Sequence, residues 1–68
     1  MANNAGKEYR KLRKMLIKAG FTEGDNKKGH VVYRKDGIPV TVAKSVRDSA
    51  GLFRLNMRQW EKDKAAQN

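Results

Sequence analysis

The sequence predicts a two-layer α+β domain ordered helix, three-stranded antiparallel meander, helix, with both helices on one face of the sheet. Three observations predict it. Apolar residues recur at helical spacing over residues 7–19, two β-rich runs are joined by Asp36-Gly37, and a second helical pattern runs over residues 51–65. The 68 residues make one domain, ordered over about residues 7–65. A chain of this size buries only about 60% of the surface its unfolded form exposes, so its core must be thin.

Residues 1–6 are small and polar and are expected to fray. At 100° per residue, Tyr9, Leu12, Met15, Leu16 and Ala19 then fall within one apolar arc. Lys7, Lys11, Lys14 and Lys18 form a stripe on another side, with Arg10 and Arg13 beside it. Glu8 lies within the apolar arc, where a place in the first turn lets it reach solvent and favour the helix dipole. Gly20 is a natural stop. Phe21-Thr22-Glu23 reads as a short strand, followed by a polar loop over residues 24–29.

His30 to Lys35 and Ile38 to Val42 flank Asp36-Gly37, a strong short-range hairpin signal. A two-residue loop pairs Lys35 with Ile38, Tyr33 with Val40 and Val31 with Val42. One face then carries Val31, Tyr33, Ile38, Val40 and Val42 for burial, and the other carries His30, Val32, Arg34, Pro39 and Thr41. This register places His30 on the accessible face beside Arg34. Pro39 falls at a non-hydrogen-bonded site, tolerable only if the third strand is a sheet edge. Residues 43–50 read as a linker, with Ser45 and Ser49 as helix-capping candidates. In the closing helix Phe53, Met57 and Trp60 share a face, flanked by Leu52 and Leu55, while Arg54, Arg58 and Lys62 follow one another on the outer side.

Composition limits the function. There is no cysteine and no His/Cys/Asp/Glu cluster, so the expectation is no disulfide, no metal and no cofactor. The longest apolar run is three residues, which predicts no membrane span and no signal peptide, and a cytoplasmic location is the simplest expectation. Sixteen Lys and Arg against seven acids give a net charge of +9. A polyanion, above all nucleic acid, is the default partner for such a domain.

Helix, meander, helix is the layout of the double-stranded-RNA-binding (dsRBD-like) type of fold, an analogy from topology. Four segments extend it. Lys11-Leu12 to Lys18-Ala19-Gly20-Phe21 reads as a leucine-rich helix ending in Gly-Phe. Lys27-Lys28-Gly29-His30 follows at a matching distance. Val31-Val32-Tyr33, Asp36-Gly37 and Val40-Thr41-Val42 form the hairpin, and Gly51-Leu52-Phe53-Arg54-Leu55-Asn56-Met57-Arg58-Gln59 closes the pattern. In this order and spacing, over about residues 8–60, they resemble the HicA (YcfA-like) toxins of bacterial toxin–antitoxin pairs, which cleave mRNA. The resemblance implies a metal-independent mRNA endoribonuclease with His30 catalytic, acting as a monomer or held by a HicB-like antitoxin protein. The chain has Ala43-Lys44-Ser45 where members usually carry Pro-x-His, Gly29 where a serine is common, and Asn56 in place of a core isoleucine.

The chemistry also stands on the residues. Cleaving RNA without metal needs a base for the ribose 2′-hydroxyl or an acid for the leaving oxygen, and histidine can serve either role near neutral pH. Lys27, Lys28 and Arg34 are candidates to steady charge on the phosphorane, and Gly29 admits close approach of a phosphate. One histidine cannot be base and acid together, so the second group falls to Lys28, Tyr33, water or the substrate. Lys7, Lys11, Lys14, Lys18, Lys44, Arg54 and Arg58 are expected RNA contacts. Two other readings stay open. One is a non-catalytic nucleic-acid-binding module or mobile-element (phage-type) regulator. The other is a protein-interaction or inhibitor domain that recruits an acidic partner to the exposed third-strand edge.

Overall fold

The computed structural model describes residues 4–67. Its order is α1 (Asn4–Lys18), β1 (Thr22–Lys27), β2 (His30–Lys35), β3 (Ile38–Ala43) and α2 (Ser49–Ala66). The strands form one antiparallel sheet ordered β1-β2-β3, so β3 is an edge, as Pro39 required. The expected fraying of residues 1–3 lies outside the described residues, while residues 4–6 are already helical.

The β2–β3 register is the one that the hydrophobic alternation demands: Lys35 opposite Ile38, Tyr33 opposite Val40 and Val31 opposite Val42. A one-residue slip would turn one strand's apolar side chains away from those of its partner, and instead all five share the buried face. Leu12 and Leu16 of α1 and Trp60 of α2 join them in one core cluster. Gly20, at φ 104°, ends α1 in a Schellman motif: the Phe21 N–H donates to the Leu16 carbonyl (3.0 Å) and the Gly20 N–H to the Ile17 carbonyl (3.1 Å). That turn drops Phe21 into the core, where its ring meets Trp60 edge to face at 6.2 Å.

Several expectations change. The segment read as a short strand and a polar loop is a six-residue strand whose every residue is exposed. Phe21 lies just outside it. A bulge between Glu23 and Asn26 brings Gly24 against β2, where an added Cβ would sit 2.9 Å from the Val32 carbonyl oxygen. Lys28 (φ 46°) and Gly29 (φ 79°) form a two-residue turn of the same left-handed kind as Asp36 (φ 55°) and Gly37 (φ 78°). The supposed linker contains Val46, which is buried with the core. Helix α2 starts at Ser49, two residues earlier than its apolar pattern, because Asp48 caps it by accepting from the Gly51 N–H at 3.1 Å. Leu55, expected to flank the apolar face, is 60% exposed.

Helix α1 ends beside the β2–β3 turn, since Thr22 follows it and pairs with Arg34. It therefore begins at the opposite end of the sheet. Strand β3 delivers the chain to that same end, where Ala43 pairs with His30 and α2 begins shortly after. The helices run parallel, tied at their starts by Glu8 and Ser49 and at the far end by Phe21 and Trp60.

Candidate nucleic-acid interface

His30 opens β2 and is held by both neighbouring strands, opposite Lys27 of β1 and Ala43 of β3. Alternation along β2 turns Val31 and Tyr33 into the core and sends His30, Val32 and Arg34 to the face without helices; His30 and Arg34 are exposed there. The Lys28-Gly29 turn immediately precedes His30, and the Gly29 carbonyl accepts from the Lys44 N–H at 2.8 Å. Five of the expected site residues, Lys27, Lys28, Gly29, His30 and Lys44, are thus brought together at one end of the sheet. An exposed imidazole at a sheet end that also carries Lys27, Lys28 and Lys44 is open to a ligand, and such cations can oppose charge accumulating on a bound phosphate.

Other expected contacts do not join this cluster. Arg34 is a correction to the reading that set it beside His30: four residues along a strand separate their backbones by about 13 Å. Lys7, Lys11, Lys14 and Lys18 are exposed on α1, and Arg54 and Arg58 are exposed on α2. All six belong to the helical layer, on the other face of the sheet from the His30 side chain. Lys11 is partly engaged by Glu8 at 3.3 Å. The basic residues therefore form two surfaces, a helical one and the sheet end.

Tyr33, one candidate for the second acid–base group, faces away from His30. It is fully buried, its hydroxyl lies 2.8 Å from that of Tyr9, and burial and that hydrogen bond both push its phenol upward. Glu8 is a second correction. It sits beyond the first turn of α1, and its Oε1 accepts from the Ser49 N–H (3.1 Å) and Ser49 Oγ–H (2.9 Å) at the start of α2. The Ser49 backbone N–H, then its hydroxyl, then Lys11 hold the Glu8 carboxyl below its ordinary value. The dipole it complements is that of α2. Its spacing within α1 carries no signal of this, because the partner is 41 residues away.

Among the described residues, no group of three or more His, Cys, Asp or Glu could hold a metal ion, and no helix is long and apolar enough to cross a membrane. No protein-family model, curated protein or solved structure matches the chain.

Proposed function

We propose that the protein is an RNA-binding domain of the toxin type that cleaves mRNA without metal, with His30 as base or acid, and that a HicB-like antitoxin restrains it. The observation that carries this reading is the placement of an exposed His30 opposite Lys27, with Lys28, Gly29 and Lys44 at the same sheet end. There a phosphate can approach the imidazole over the small Gly29 turn while lysines offset its charge. Lys28, water or the substrate supplies the second proton transfer, since Tyr33 is turned into the core.

Induced expression of the wild type is expected to arrest growth and degrade messages, and His30→Ala at equal abundance is expected to do neither. Equal toxicity of the two, or toxicity from neither, would remove the catalytic assignment.

The burial of Tyr33 favours a second reading, a nucleic-acid-binding module without cleavage. It predicts RNA binding by both proteins with intact RNA recovered from each.

A further inference from the structure

The face of the sheet opposite the helices has no protein layer on it. Along β2 it presents His30, Val32 and Arg34, flanked by Lys27 and Thr22 from β1 and by Ala43, Thr41 and Pro39 from β3. Cations stand at its two ends, Lys27 with His30 at one and Arg34 at the other, about 13 Å apart along the strand. Between them lie the small side chains of the half-buried Val32 and the exposed Thr41.

We propose that this bare face is a track for single-stranded RNA, with one phosphate at His30 and Lys27 and a later phosphate of the same strand held by Arg34. The proposal rests on the reading of His30 as the reacting end, and it adds Arg34 as a positioning residue. The separation of the cations exceeds the reach of one phosphate, so the strand must continue along β2 to engage both. A span of about 4 nucleotides falls at the short end of single-strand site sizes.

Single-stranded RNA fits this surface better than duplex does. Its bases can turn down onto Val32 and Thr41, whereas paired bases are turned inward and leave only phosphates and ribose for contact. The aromatic rings that most often stack on bases are committed elsewhere: Trp60, Phe21 and Tyr33 are buried, and Tyr9 and Phe53 pack against the core. Contact with the bases is therefore through small apolar and hydroxyl groups, and it tolerates any sequence. Asp25, exposed in the β1 bulge, disfavours a polyanion there, so beyond Lys27 the RNA strand keeps to β2 and β3.

The test measures binding of 2′-O-methyl oligouridylates, which cannot be cleaved through the 2′-hydroxyl, in a series of increasing length. Wild type is expected to gain affinity in a step near about 4 nucleotides. Arg34→Ala should lose that step and bind the longer oligomers about tenfold more weakly, while matching wild type on the shortest. Lys14→Ala/Arg58→Ala, on the helical layer, should keep the step. Unchanged Trp60 fluorescence and circular dichroism establish that each variant is folded. An unchanged step in Arg34→Ala, its loss in the helical-layer variant, or equal competition by duplex of the same length would overturn the track. If His30→Ala remains toxic while Arg34→Ala loses the step, the cleavage reading fails and the track stands. If cleavage depends on His30 and the step ignores Arg34, the track fails alone.

Discussion

Glu8 occupies the place at which the start of a helix would otherwise attract an external anion. With Asp48 on the Gly51 N–H, two of the protein's own carboxylates satisfy donors at the beginning of α2. Under the proposed function a phosphate is expected at the sheet end instead, where, among the described residues, Lys27, Lys28 and Lys44 are not engaged by a carboxylate of the protein. The pH dependence follows from the sign of the shift. Because the folded protein lowers the Glu8 carboxyl below 4.5, its contribution to stability is fully present above that value and is lost as pH falls through the lower folded value. Glu8→Gln is expected to lower Tm at neutral pH by a few degrees and to flatten the acid limb of a Tm-against-pH curve. An unaltered acid limb would show that the Ser49 contact carries no stability. His30, by contrast, is held at the backbone by two ladders, so His30→Ala should leave Tm close to wild type and serve as a clean functional variant.

Trp60 links α2 to the hairpin. Its Nε1–H donates to the Lys35 carbonyl at 2.9 Å, and the ammonium groups of Lys35 and Lys64 lie 4.7 and 4.9 Å from its ring centre. Trp60→Phe keeps most of the ring but removes the second donor to the Lys35 carbonyl, which keeps its pairing with Ile38 across the turn. The expected loss is about 1 kcal/mol, near 5 °C in Tm for a domain this small, readable by thermal denaturation. The β2–β3 hairpin was legible because Asp36-Gly37 sits between strands of clean alternation, and a register error there would have exposed one strand's apolar residues. The presence of β1 was legible at Phe21-Thr22-Glu23, but its extent to Lys27 was not, because none of its six residues is apolar and periodicity has nothing to register. Its hairpin turn, Lys28-Gly29, carries only the glycine of the usual signal, so Gly29 was read for phosphate approach rather than for its positive φ. The same limit applies to the site. The alternation that exposed His30 was visible in the sequence. Its cross-strand neighbour Lys27 depended on a strand pairing that the side chains do not advertise, and the distance to Arg34 depended on taking strand rise into account.

At the scale of the whole molecule, sixteen cations are spread over both layers while only a few are balanced. The ion pairs of the described residues join Lys11 to Glu8, Arg13 to Glu23 and Lys64 to Asp36, all at least partly exposed and therefore weak. A net charge of +9 leaves most of the field available to a polyanion. RNA affinity is therefore expected to fall steeply with salt, with a log–log slope that drops by about one for each phosphate-contacting lysine or arginine removed. Binding that ignores salt would remove phosphate recognition altogether. The wholly exposed β1 has a further consequence. A strand that buries no side chain is held by its ladder to β2 and by the exposed Arg13–Glu23 pair to α1, so its amides should exchange with deuterium before those of β2 and β3, whose side chains anchor the core. Lys27 thus stands on a segment that opens independently of global unfolding, and a ligand that grips Lys27 together with His30 should slow exchange across Thr22–Lys27 while leaving the already protected Val31 and Tyr33 amides unchanged.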